Sequence, residues 1–121
     1  MAYDEELAAR VRDAVAGEPG LSEKRMFGGL AFLVHRNMAV AASGQGGLLL
    51  RVDPADSETL TQEPHVARFE MRGRAMDGWL HVGVDSVATE ADLQRWVDVG
   101  LAYARSLPPK QGGPGVSRRA R

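Results

Sequence analysis

Apolar residues along the chain fall into blocks whose spacing changes at recognisable turn residues. Across positions 4–16, Leu7, Val11, Ala14 and Val15 recur at helical spacing with Glu6, Arg10 and Asp13 opposite, which predicts a helix. Asp4 can cap it by accepting from free first-turn amides, and Gly17 suits the left-handed position beyond its end. After a turn at Pro19-Gly20, residues 23–27 read as a short strand, and Gly28-Gly29 bends the chain. Strands are predicted over 30–35 and 38–42, joined at Arg36-Asn37, where asparagine tolerates positive φ. Residues 43–47 connect to another strand over 48–52, and an antiparallel meander is expected.

Asp53-Pro54-Ala55-Asp56 offers a cap, a proline tolerated at a first helical position and a first-turn acid, predicting a short helix over 54–60. Two further strands are expected over 68–71 and 79–84, around a turn-rich stretch at 72–78. Thr89 followed by Glu90 and Asp92 opens the last helix, whose core stripe is Leu93, Trp96, Val97, Leu101 and Ala104. Gly100 inside that helix costs roughly 1 kcal/mol against alanine, which implies close approach of another backbone. Pro108 and Pro109 end the helix. The fold class expected is α+β, a mostly antiparallel sheet with an N-terminal helix, a short middle helix and a long C-terminal helix, forming one domain over 1–110. Residues 111–121 carry no apolar stripe and are expected to be a disordered basic tail.

Charge sharpens this division. Of 15 basic residues, Arg118, Arg119 and Arg121 lie beyond position 110, so residues 1–110 hold 12 basic groups against all 16 acids, a net of −4. Such a body repels duplex DNA unless cations cluster on one face. There is no cysteine, which excludes disulfides, thiolate metal sites and a cysteine nucleophile. The acidic start, MAYDEELAARVRD, is unlike a secretory signal, and no apolar run approaches the ~20 residues of a membrane span. A soluble, cytoplasmic protein without membrane contact is expected.

Candidate chemistry is sparse. Neither Gly28-Gly29 nor the glycines at 44, 46 and 47 form a phosphate-binding pattern opening a helix, so turn geometry accounts for them. His35, His65 and His81 stand far apart, and the weak His81/Asp85 spacing is the one local metal-like pair, so no metal is expected. None of the serines sits in a nucleophile elbow. Asp53, Asp56 and Glu58 complement a helix start. Met26, Phe27, Met76 and Trp79 are core residues first, and interface residues if exposed, because methionine and tryptophan are enriched at partner surfaces. Arg68, Arg72 and Arg74, with Arg51 on a neighbouring strand, form the one basic concentration in the body and the candidate contact for an anion or nucleic acid.

Taken together and in order, KRMFGGLAFLVHRNMAV, LLLRVDP, MRGRAMDGWLHV and WVDVGLAYARSLPPK resemble the N-terminal domain of the TfoX/Sxy family. The resemblance rests on Met26, Phe27, Gly28 and Gly29, on Arg51 at the end of its strand, on the Gly78-Trp79 step and on the closing SLPPK. It implies a helix-flanked antiparallel sheet, similar to secretion-chaperone-like domains, a group that often forms dimers. Longer family members regulate natural competence with a cyclic-AMP receptor type activator and carry a further C-terminal helical domain, which these 121 residues are expected to lack. The family supplies no catalytic residue to carry over.

The function expected is therefore a non-enzymatic TfoX N-terminal-like module without a cofactor. It would act through protein contacts in transcriptional or competence-type regulation, with a transcription factor as partner and a homodimer as its own form. The alternative is a nucleic-acid-associated accessory protein using Arg68, Arg72, Arg74 and the tail; an enzyme with an unrecognised site stands third. The net charge predicts only weak, non-specific binding of residues 1–110 to duplex DNA, read by fluorescence anisotropy at physiological salt. Sequence-selective binding tighter than about 1 μM would contradict it.

Overall fold

A computed structural model describes residues 3–26 and 28–108, with Met71 described in its backbone alone. The elements are α1 (Glu5–Val15), β1 (Leu21–Met26), β2 (Gly29–Val34), β3 (Asn37–Ala42), β4 (Leu48–Arg51), a 3₁₀ turn at Pro54–Asp56 leading into α2 (Ser57–Leu60), β5 (Val66–Met71), β6 (Arg74–Val82), a second 3₁₀ turn at Val84–Val87, and α3 (Glu90–Ser106). The fold is α+β. All six strands join one antiparallel sheet in the order β1-β2-β3-β4-β6-β5, so the chain departs from a simple meander only where β6 inserts between β4 and β5.

The helix ends follow local chemistry. The Asp4 carboxylate accepts from the amides of Glu6 (2.9 Å) and Leu7 (3.1 Å), Asp53 from Ala55 (2.9 Å), and the Thr89 hydroxyl from Asp92 (3.1 Å). These satisfy donors that a helix start leaves without intrahelical partners. The expected helix over 54–60 divides into its 3₁₀ turn and the single turn of α2. The turn joining β2 to β3 falls at His35-Arg36, one residue earlier than the sequence suggested, with φ of 49° and 69°. Two successive left-handed residues match the twist of a two-residue hairpin and pair Val34 with Asn37. Asn37 is thereby released to the core edge, where its buried side-chain amide donates to the Pro108 carbonyl at 2.9 Å and ties the end of α3 to the sheet.

Both long helices pack on one face. Leu7, Val11 and Val15 of α1 and Leu93, Trp96, Val97 and Leu101 of α3 close over Phe32, Val40, Leu48, Leu50 and Leu80. Burying each such side chain contributes roughly 1.5–3 kcal/mol, so this layer supplies the bulk of the stability. The close approach expected at Gly100 is present: a Cβ there would lie inside van der Waals contact of the Ala39 carbonyl oxygen and the Leu50 methyl. The opposite face holds a second cluster, Ala31, Leu33, Met38, Ala41 and Leu49, with Met26, Phe69 and Trp79 packed against it, and among the described residues none from a helix belongs to it.

Bidentate ion pairs fasten the periphery. Arg105 grips Glu18 (2.9 and 2.6 Å), Arg12 grips Glu23 (2.7 and 3.0 Å) and Arg95 grips Glu63 (2.9 and 2.5 Å). The arginine hydrogen bonds hold all three carboxyls below the usual carboxylate range, against a smaller opposing effect of desolvation. Because their folded pKa values lie below the unfolded ones, their stabilisation is complete at neutral pH and fades as pH falls through the unfolded carboxylate value, about 4.3, and then the folded ones. Melting temperature should hold near neutrality and drop below about pH 4.5. Glu18→Gln should flatten that acid limb; an unchanged limb would assign it elsewhere.

The doubled glycine divides its roles. Gly28 takes φ +76° in the turn between β1 and β2 with open space where a side chain would stand, whereas a Cβ on Gly29 would collide with the Ala42 carbonyl oxygen. Gly28→Ala should therefore cost only about 1 kcal/mol, the left-handed penalty, and Gly29→Ala about 3 kcal/mol or more, since backbone must move. Denaturant midpoints of the two variants check the order, and a costlier Gly28→Ala would reverse the assignment.

Candidate functional site

Strand β4 stops at Arg51 because Asp53-Pro54 turns the chain into the 3₁₀ segment, and proline has no amide to continue a ladder. Strand β6 is longer. It pairs with β4 only through Trp79, Leu80, His81 and Val82, then runs back to Arg74 with β5 alone beside it, five residues beyond the start expected from the sequence. Among the described residues no strand pairs with residues 74–77 on the β4 side.

A bulge shapes this overhang. The register of β5 with β6 shifts between Arg68 and Glu70, leaving Met76 and Asp77 without a partner position in either neighbouring strand. Gly78 takes φ +85°, donates its amide to the buried Ser57 hydroxyl at 2.7 Å, and accepts from the Val52 amide at 2.9 Å. A Cβ at Gly78 would press on the Pro54 ring and the Val52 carbonyl oxygen. Positive φ and tight packing both demand glycine here, so the Gly78-Trp79 step has a physical reason: it locks the bulge to the turn that ends β4.

The overhang borders a cavity of about 560 Å³ lined by Arg72, Arg74, Ala75, Met76, Asp77 and Trp79. Arg51, opposite Trp79 in register, lies over its ring at 5.1 Å and over the Tyr103 ring of α3 at 5.7 Å, a favourable cation–π geometry. Five arginines, Arg10, Arg12, Arg68, Arg95 and Arg105, pair with carboxylates. Arg51, Arg72 and Arg74 have no carboxylate partner among the described residues. Asp77, the one acid among the described residues lining the cavity, is already engaged by Arg68 at 2.8 Å, so the described part of the rim carries uncompensated positive charge.

The structure therefore sorts the residues singled out from the sequence. It brings Arg72, Arg74 and Trp79 to one cavity, sets Arg51 against Trp79, and uses Gly78 to build the bulge. Arg68 stands apart from the other two arginines, its charge satisfied by Asp77. Met26 and Trp79 both pack against the second apolar cluster and are half-buried, as is Met76. Gly28 and Gly29 shape the β1–β2 turn, and Phe27 lies outside the described residues, as does the expected tail over 111–121.

Sequence reasoning missed two arrangements of histidine. His81 does not meet Asp85: its Nε2–H donates to the Gly46 carbonyl at 2.6 Å, fastening the 43–47 loop to β6. Asp85 instead lies 3.8 Å from Nε2 of His65, a residue held at φ +63°. The neighbouring Ser86 hydroxyl donates to the Pro64 carbonyl at 2.8 Å. His65 and Asp85 are far apart in the chain, and only the β5–β6 hairpin closes that distance, so no local spacing could have signalled it. Among the described residues no group of three or more histidine, aspartate or glutamate side chains could hold a metal ion, and no helix is long and apolar enough to cross a membrane.

The family model of the TfoX N-terminal domain matches residues 4–104. The chain belongs to that family. The match takes in α1, the whole sheet and nearly all of α3, including the β6 overhang and its cavity. Neither a curated protein nor a solved structure matches the chain.

The bulge generates a direct expectation. Ser57→Ala removes the acceptor of the Gly78 amide in a buried setting, which should cost about 1–3 kcal/mol, and should broaden or shift the Trp79 resonances because the bulge loses its anchor. A Ser57→Ala protein with unchanged denaturation midpoint and Trp79 spectrum would show that the bulge is held by other contacts.

Proposed function

We propose that this TfoX N-terminal domain is a non-enzymatic module that acts through protein contacts, in transcriptional or competence-type regulation. The observation that supports it best is the cavity beside β6: a strand edge without a neighbouring strand, an apolar wall and arginines without a carboxylate partner among the described residues coincide there, the three features by which one protein chain holds another. The paired carboxylates and arginines elsewhere on the surface favour a stable scaffold over a reactive site. The acidic body disfavours direct reading of DNA, so a regulatory role is best served by a protein partner that itself binds nucleic acid.

Capture from native lysate on the immobilised chain tests this. A protein retained in stoichiometric amount at about 150 mM salt, before and after nuclease treatment, is the expected result. Retention abolished by nuclease would favour the nucleic-acid accessory reading, and no retained protein would contradict the proposal.

A further inference from the structure

We infer that the gap beside residues 74–77 of β6 receives an extended acidic peptide segment from the partner, added as a strand on the line that β4 vacates at Arg51. This rests on the protein-contact reading and gives it a site and a chemistry. In the two-residue hairpin at Arg72-Gly73, Met71 and Arg74 are the opposed pair next to the turn and exchange their hydrogen bonds. By alternation the N–H and C=O of Ala75 face away from β5, toward the gap. A backbone edge so exposed favours strand addition, and the four residues from 74 to 77 span about 13 Å at strand rise.

Charge chooses the occupant. The guanidiniums of Arg72 and Arg74 flank the cavity without a carboxylate partner among the described residues, and Asp77 is neutralised by Arg68. A glutamate or aspartate of the incoming strand would form charge-assisted, bidentate hydrogen bonds with them. Ala75, Met76 and Trp79 supply an apolar wall for the alternate side chain. The methionine adapts to residues of different shape, which suits recognition by backbone and charge.

The test is an NMR titration of the full chain with a capped six-residue peptide alternating glutamate and valine. A lysine–valine peptide and a six-nucleotide deoxythymidine strand serve as separate arms. The glutamate peptide should shift the amides of Ala75 and Met76, and Arg72→Glu/Arg74→Glu should weaken it by about tenfold or more while leaving the melting temperature unchanged, since both side chains are exposed. Met76→Lys, a second variant at the apolar wall, should weaken it as well. Shifts absent at Ala75 and Met76, equal binding of the lysine peptide, or the oligonucleotide alone binding there would each overturn the inference. A lysate partner held equally by wild type and by the double arginine variant would also overturn the site while leaving the protein-contact function intact, whereas a lysate without partners would remove that function.

Discussion

The architecture turns on the mismatch in length between β4 and β6. Proline at position 54 ends the fourth strand, and the chain then folds under its neighbour, where Ser57 and Val52 hold Gly78 from both sides. Strand β6 cannot keep a regular ladder at that point. It bulges, carries on past its partner as far as Arg74, and leaves main-chain polar groups facing a gap. Buried main-chain polar groups are nearly always paired, so an unpaired stretch of this kind persists only where water or another chain can reach it.

The two faces of the sheet are built differently. The helices seal one face with large side chains, and α3 can lie close because Gly100 places no side chain against the Ala39 carbonyl. The other face mixes small residues, Ala31 and Ala41, with Leu33, Met38 and Leu49, and Met26, Phe69 and Trp79 pack against them. Arginines follow the same division. Those fastening helices and loops are matched by glutamate or aspartate, as Arg68 is by Asp77, while Arg51, Arg72 and Arg74 near the overhang have no carboxylate partner among the described residues.

Much of this was legible in the sequence because local chemistry set it. The caps at Asp4, Asp53 and Thr89, the helix stripes, the close approach at Gly100 and the family motif all follow from short-range pattern. What was hidden depends on pairing across distance. Residues 72–78 carry three charges and two glycines and read as a turn, yet residues 74–78 belong to a strand whose bulge is stabilised by Ser57, twenty-one residues away. The hairpin at His35-Arg36 puts positive φ on a histidine and an arginine, whereas the known tolerance of asparagine for that region drew the expected turn one residue on, to Arg36-Asn37. Arg68 looked like a companion to Arg72 and Arg74 until the bulge brought Asp77 against it.

Beyond the end of β4 the β6 edge is open in the free chain. Native-state amide hydrogen exchange reads such an edge residue by residue. With the edge open, the Ala75 amide, which faces the gap, should exchange orders of magnitude faster than those of Leu50 and Leu80, which lie in the paired part of the sheet. Protection at Ala75 equal to that of Leu50 and Leu80 would show the edge already filled in the free chain.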